Sequence, residues 1–338
     1  QCDDGSCDII TYDECGSGGG GGYDCVNLVC QPNTDGSPDF PGATGQYDCE
    51  NCLDCDCNAP SGGECGEAQP WNCVGNTYVP DNAFEQKLIN LGYDSVLNTT
   101  VPTASINTVT TLNLYGSGIY DLTGIECFTA LEELTLANNY ISCLDVSNNL
   151  ALISLLAGTV CFDLSLCSPI TSLDVSQNIL LQILSVSNTN MSSFDVTNNT
   201  LLAHLQLEHN SLITSLDVSQ NHLLEELRVG GNNITSLDLS QNPAIIILQV
   251  ELNGMTSLDI SNSAALDILQ CDNNLLTILD LRNGNNDNMQ IEAYTNSTMM
   301  VHVDDLTVAV NKVALGFPGG WSFDTGTTFC DSTACITI

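Results

Sequence analysis

From Leu131 onward the chain repeats one phrase, and this constrains its fold more than any other feature. Segments beginning at Leu131, Leu152, Leu181, Leu202, Leu224, Ile245 and Leu266 share the pattern L-x-x-L-x-L-x-x-N-x-I-x-S-L-D-V-S-x-N-x-x. The step is 21 residues in four cases, 22 in one, and 29 where a segment containing Cys161 and Cys167 is inserted. The second half recurs from Leu144-Asp145-Val146-Ser147 through Leu216-Asp217-Val218-Ser219 to Leu279-Asp280-Leu281-Arg282. A unit this short cannot bury an apolar face alone, so it must stack on copies of itself. Each unit holds two period-2 bursts, L-x-L and L-D-V, separated by Asn-rich turns, with no 3.6-residue pattern between them. The pattern predicts a mainly β solenoid with two short strands per coil and two parallel β-sheets around a Leu, Ile and Val interior. A degenerate coil precedes at residues 109–114, and a last one follows near residues 289–294. Asn139, Asn210, Asn232, Asn253 and Asn274 share one turn position, and Asn149, Asn178, Asn199, Asn221 and Asn242 the other. Stacked amides there would satisfy backbone groups that no sheet partner reaches.

A stack of coils has open ends. Before the repeat, Asn82 with Glu85 three residues on forms a capping box. Phe84, Leu88, Ile89 and Leu91 make one apolar face, and Gly92 suits a left-handed helix stop. One short helix over residues 82–91 is therefore expected to cover the first coil. The divisions expected are a Cys- and Gly-rich module (1–75), an N-terminal cap (76–104), the solenoid (105–300) and a C-terminal cap (301–338).

Eleven of the 18 cysteines fall in the first 75 residues. The segment has little apolar content for a core, so bridges must hold it together. Cys52-Leu53-Asp54-Cys55 contains a C-x-x-C, but no second half at zinc-finger spacing follows and the segment has no His, which favours disulfides over zinc. Disulfides imply an oxidising compartment. A start at Gln1 with no apolar leader is expected of a mature chain whose signal peptide has been removed. Tyr47-Asp48-Cys49 echoes Tyr23-Asp24-Cys25, as degenerate copies of one small module would, and the five-glycine run at residues 18–22 reads as a link. Cys161 with Cys167, Cys330 with Cys335, and Cys127 with Cys143 are plausible bridges, and Cys271 sits at a core position. The amino-terminal eleven are then an odd number, leaving one unpaired or bonded to another molecule.

Charge excludes several functions. Four basic residues (Lys87, Arg228, Arg282 and Lys312) face 41 acidic ones, a formal net charge of -37. Such a surface repels nucleic acid and anionic membranes. No apolar run reaches the 18 or so residues of a spanning helix, so no membrane insertion is expected. Asp dominates the acidic set, which fits solubility in salty water or binding of divalent cations, Ca²⁺ being the one cofactor considered. One aspartate per coil stacks at about 4.8 Å, where neighbouring charges repel by roughly 0.9 kcal/mol in water and about 3.5 at an effective dielectric of 20. Either hydroxyl and N–H donors or bound cations must offset this, and Asp217, Asp238 and Asp259 are the candidate metal residues.

The repeat resembles the leucine-rich repeat family, in its short nested class with two strands per 21-residue coil. Tyr78-Val79-Pro80-Asp81-Asn82-Ala83-Phe84-Glu85-Gln86 and Ile106-Asn107-Thr108-Val109-Thr110 are similar to the cap of secreted Bacteroidota proteins of that kind. Val303-Asp304-Asp305 and Trp321-Ser322 through Thr328-Phe329 resemble their carboxy-terminal cap. The resemblance implies export, commonly by the type IX pathway with a sorting domain that is cut off, and no such domain is seen here. It also implies that the first-strand sheet is the ligand face. Its outward positions make Ile183, His204, Gln206, Arg228, Ile247, Gln249, Ile268 and Gln270 the candidate binding residues. The β-branched residues among them equally suit plain strands.

Catalysis finds no motif: His204, His209, His222 and His302 lack metal-ligand spacing, and no nucleophile or phosphate loop is present. Asn98, Asn190, Asn198, Asn233 and Asn296 are glycosylation acceptors if the host glycosylates, and Asp94-Ser95-Val96 resembles the short O-glycosylation signal of Bacteroidota, at Ser95. Two readings follow. One is a secreted, non-enzymatic surface protein for adhesion or recognition of a protein or glycan. The other is a subunit of a homopolymeric extracellular filament or sheath, assembled from copies of itself through the Cys-rich segment and the solenoid ends.

Overall fold

The computed structural model describes residues 73–158, 170–296 and 298–338, with the backbone of four short strands nearer the amino terminus. The chain divides into two compact units, Gln1–Glu67 and Ala68–Ile338. In the first, Cys2–Asp3 pairs antiparallel with Ser6–Cys7, and Tyr23–Val26 with Val29–Pro32. The glycine run, the C-x-x-C and the Cys161–Cys167 pair lie outside the described residues.

The second unit is the solenoid. Its first sheet has ten parallel strands, from Thr111–Asn113 through Glu133–Thr135, Ser154–Leu156, Ile183–Ser185, His204–Gln206, Glu226–Arg228, Ile247–Gln249 and Ile268–Gln270 to Gln290–Glu292 and Trp321–Ser322. Register is strict: Leu112, Leu134, Leu155, Leu184, Leu205, Leu227, Leu248, Leu269 and Ile291 align and are buried. A one-residue slip would turn this whole apolar set outward, which is what holds the register.

The second sheet is shorter than the sequence pattern suggests. It begins at Ser257–Asp259 and continues through Ile278–Asp280, Met300–His302 and Thr328–Cys330, closed by antiparallel Cys335–Thr337. In earlier coils the L-D-V segments bury their apolar side chains but are not assigned as strands. The reason lies in the turn that follows. Asn178 Nδ2 donates to the carbonyls of Val146 and Asn149, Asn199 to Val175 and Asn178, Asn221 to Val196 and Asn199, and Asn242 to Val218 and Asn221. On this face side-chain amides, rather than backbone N–H groups, bridge one early coil to the next. Ser263 replaces Asn in the next coil and its carbonyl accepts from Asn283 Nδ2; between these two coils the backbone also bonds directly, with Ile260 N–H donating to Asp280 O at 3.0 Å.

The other turn column works differently. Asn139 Nδ2 donates to Leu114 and Leu136 carbonyls while its Oδ1 accepts from Ser117 and Ile119 N–H. Asn210, Asn232, Asn253 and Asn274 bind carbonyls of their own and the preceding coil in the same way. Just before this position every described turn carries a left-handed residue: Gly116, Asn138, Asn188, His209, Gly231, Leu252, Asn273 and Thr295.

The amino-terminal cap departs from the expected box in detail. The helix spans Asn82–Asn90, and its N-cap is Asp81, whose Oδ1 accepts from Ala83 and Phe84 N–H. Glu85, fully buried, does not reach back to Asn82. It accepts from the N–H groups of Asn98, Thr99 and Thr100, binding the loop to the helix. Phe84 stacks on Phe128 of the first coil. Gly124 (φ 106°) lies where any Cβ would come within 2.7 Å of Tyr78 O, so the coil packs directly on the cap strand. Beside it, Cys127 bonds Cys73, not Cys143. Cys127 closes the short turn Ile125–Cys127 against the cap, so the entering chain, rather than the next coil, supplies its partner. Cross-linking 54 residues apart contributes about 4 kcal/mol by chain entropy. Cys143 is itself disulfide-bonded. Cys330–Cys335 forms as expected, and Cys271 is a buried free thiol. The far end carries a helix that the repeat pattern did not announce, Leu306–Leu315 with Asp305 as N-cap. Trp321, packed with Phe323 and Phe329, closes the core there and donates Nε1–H to Met289 O.

Two measurements follow. Asn221→Ala strips two buried carbonyls of their donor and is expected to cost about 2–4 kcal/mol in urea unfolding followed by circular dichroism. Exposed Gln220→Ala should stay within about 0.5 kcal/mol. The second concerns Glu126, whose carboxyl is pushed up to about 7 by burial, with Asp145 and Asp121 adding repulsion against the opposing Gly124 N–H bonds. A raised carboxyl favours the folded chain only while protonated. Stability is therefore lost as pH rises from about 4.5 to 7, by about 2–4 kcal/mol in all. Glu126→Gln should raise the melting temperature at pH 8 and leave it nearly unchanged at pH 4.

Candidate functional site: the outward face of the first sheet

In a strand, alternate residues share a face, so each first-sheet strand turns its central leucine inward and its two neighbours outward. The structure gathers the candidate residues on this face into two linked groups. In the first, Glu226 is the hub. Its carboxylate accepts from Arg228 Nε, lies 3.2 Å from His204 Nδ1, and accepts from Gln206 Nε2 at 3.2 Å. Burial pushes the Glu226 carboxyl up, but the Arg228 bond and charge, with His204 and Gln206, outweigh it and hold the group below the usual range. In the second group Gln249 Nε2 donates to Gln270 Oε1, and Gln270 Nε2 donates to Glu292 Oε2 at 2.9 Å. Ile183, Ile247 and Ile268 are partly exposed beside these groups.

Glu226 and Glu292 were missing from the sequence-derived set. Residues i and i+2 of a strand share a face, so the Glu226-x-Arg228 pair was the signal for the first. Glu292 lies in the most degenerate coil and left no comparable sign.

At the strand exits, Glu208, Gly230, Glu251 and Asp272 occupy successive coils. The Glu251 carboxylate packs over the Gly230 backbone, where a Cβ would displace it. Burial raises the Glu251 carboxyl, helped by Glu208 and Asp272, and burial likewise raises Asp272, helped by Glu292.

At the strand entries lies an apolar band. The repeat reads N-x-x-L before each first strand, and its x positions hold Leu150, Ile179, Leu180, Leu201 and Leu223, all 38–57% exposed. The core leucines are Leu152, Leu181, Leu202 and Leu224, each buried. Mid-band, Gln182, Leu201, Ala203, Leu223, Glu225 and Ala244 line a groove of about 360 Å³. These leucines too escaped the sequence reading, although apolar residues at repeat positions outside the consensus were visible in it.

On the opposite side the aspartate column is held locally. Oδ1 of Asp145, Asp174, Asp195, Asp217, Asp238 and Asp259 accepts the N–H two residues on at 2.8–2.9 Å, and Asp280 that of Arg282 at 3.1 Å. Backbone and side-chain donors at Thr197, Ser219 and Ser240 hold Asp195, Asp217 and Asp238 below the usual carboxylate range. For Asp217 these donors outweigh repulsion from Asp195 and Asp238. Stability from such groups is complete above about pH 4 and is lost on acidification through their lowered values. Among the described residues no group of three His, Cys, Asp or Glu is placed to hold a metal ion. Of the glycosylation candidates, Ser95, Asn98, Asn190, Asn198 and Asn233 are exposed. Asn296 instead donates Nδ2 to Ala293 and Cys271 carbonyls and accepts from Leu276 N–H, as a member of the first amide column.

No protein-family model matches the sequence, and comparison with curated proteins finds no match. Solved structures do match. The functional domain of InlJ from Listeria monocytogenes, which includes a cysteine ladder, is 26% identical with a TM-score of 0.51, over 76% of this chain and 61% of that one. The chain thus spans about three fifths of that domain. An internalin, InlF, from the same organism is 21% identical with a TM-score of 0.58, over 76% of this chain and 72% of its own. The leucine-rich repeat protein LIC12759 of Leptospira interrogans is 21% identical with a TM-score of 0.52, over 66% and 62%. The fold is a leucine-rich repeat solenoid, as the sequence pattern implied. Among the described residues no helix is long and apolar enough to cross a membrane.

Because the aspartates are satisfied by N–H donors, EDTA at fixed ionic strength should leave the melting temperature unchanged. A fall of several degrees, restored by Ca²⁺, would return the column to the metal-binding reading.

Proposed function

We propose that this chain is a secreted or cell-surface, non-enzymatic protein of the short nested repeat class, whose solenoid presents its first sheet to a protein or glycan. The observation that carries the reading is the sheet itself. Ten strands in register hold a row of partly exposed side chains braced by Glu226 and Glu292. Side chains fixed before binding lose less entropy on it, as a recognition surface requires. Similarity to InlJ, an internalin and a leucine-rich repeat protein supports a recognition scaffold. Disulfides in the solenoid unit support an oxidising, extracellular setting. The filament reading drew support from an odd amino-terminal cysteine; Cys73 bonds Cys127 within the chain, but with Cys271 free 17 of the 18 cysteines are left to pair, still an odd number, and the filament remains the second reading.

Biolayer interferometry of the immobilised chain against extracellular proteins and neutral oligosaccharides tests the proposal. Saturable binding to at least one of them is expected, weakened at least ten-fold by the double variant Gln249→Ala, Gln270→Ala. Regular polymers in negative-stain electron microscopy, with no binding across the panel, would sink it in favour of the filament.

A further inference from the structure

We propose that the groove between Leu201 and Leu223 docks an aliphatic side chain carried on a Lys- or Arg-rich segment of a partner protein. This rests on the recognition reading above and names the chemistry of what is recognised.

The groove's walls are not part of the core. Leu201 and Leu223 each precede the consensus leucine, Leu202 or Leu224, which fills the interior. Most surfaces of soluble proteins carry isolated exposed leucines, but here exposed aliphatic residues recur at the two positions before the consensus leucine, from Leu150 through Ile179 and Leu180 to Leu201 and Leu223. Leu201 and Leu223, exposed in adjacent coils, border one groove rather than standing singly. Ala203 and Ala244 are short, and their small side chains leave a space of about 360 Å³ between the leucines. A cavity of roughly 150 Å³ is enough to hold a benzene ring, so a Leu, Ile or Met side chain fits.

Charge selects the occupant. Glu225 stands in the groove wall, with Asp267 at the equivalent position two coils on. None of the four Lys and Arg residues offsets them. Lys87 and Lys312 lie on the end helices, Arg282 is bound to Asp280, and Arg228 is bound to Glu226. The chain as a whole carries -37. A second copy, an acidic segment or an anionic lipid surface would approach against this field, whereas a cationic segment is drawn in by it. The apolar groove then supplies what charge alone lacks, a short-range preference for one side chain.

The test uses the full chain and two synthetic eight-residue peptides of equal charge, one alternating Lys-Leu and the other Lys-Ser, followed by fluorescence anisotropy in 150 mM salt. The Lys-Leu peptide should bind at least ten-fold more tightly, the scale set by burying one aliphatic side chain. The double variant Leu201→Ser, Leu223→Ser should abolish that preference, and Ala203→Trp should do so by filling the groove. Leu212→Ser, which removes an equally exposed leucine at the other turn, should leave it intact. All these positions are at the surface, and circular dichroism verifies folding. Equal affinity for the two peptides would overturn the proposal, as would a preference that survives both groove changes. A preference lost with Ile247→Ser but kept in the groove variants would move docking to the sheet face, overturning the groove and sparing the recognition reading. A dimer in sedimentation velocity that Leu223→Ser dissolves would make a second copy the occupant, and would overturn the proposal too.

Discussion

Everything in the solenoid depends on the buried side-chain amide. Short strands stacked in parallel satisfy their own backbone groups through the sheet, but each coil must also turn twice, and a turn leaves carbonyls pointing inward with no strand beside them. Asn is the side chain that answers this, because its Nδ2 carries two N–H donors and can bond one carbonyl of its own coil and one of the coil before. Asn210, donating to Leu207 of its own coil and Val186 of the coil before, does so with no exposed surface. Leucine packing gives the stack its free energy and holds its register, and the amides satisfy the carbonyls that the turns leave inside.

The two faces differ because the same problem is solved in two ways. Along the first sheet, backbone meets backbone and ten strands form a continuous surface. Along the other face, side-chain amides bridge the early coils, and a backbone ladder begins only at Ser257–Asp259. A continuous, in-register surface is the better platform for arranging side chains across several coils, and the two hydrogen-bonded groups around Glu226 and Glu292 have formed on it. The flanking turns are less regular. They carry residues outside the consensus, including Leu252 in the left-handed region and the aliphatic band of Leu150 to Leu223.

How much of this was readable in the sequence follows the same division. Positions fixed by the repeat were readable: the first-sheet strands, the core leucines and both Asn columns, and the bridge at Cys330–Cys335 was readable from its short spacing. Features set by one-off contacts were not. The box at Asn82 and Glu85 had the right spacing, but Asp81 was free to cap, and Glu85 was nearer the three N–H groups at residues 98–100. Cys127 and Cys143 lie in adjoining coils, yet the cap strand, packed against Gly124, brought Cys73 closer. The helix Leu306–Leu315 has no counterpart in the repeat, so its period was not sought. For the face, outward direction could be read from alternation, but which carboxylate gathers which neighbour depends on rotamers that a pattern does not specify.

The acidity is where local chemistry and function meet. A column of aspartates spaced at one coil apiece would normally call for cations between them. Here each carboxylate is occupied by the N–H two residues on, a contact made within its own coil and independent of how many coils are stacked. Repulsion along the column is thereby offset locally, unit by unit, in a chain whose formal net charge is -37. The consequence reaches the surface. A charge that is tolerated but not neutralised remains as an external field, and within that field an exposed aliphatic groove with a glutamate in its wall discriminates by sign before it discriminates by shape.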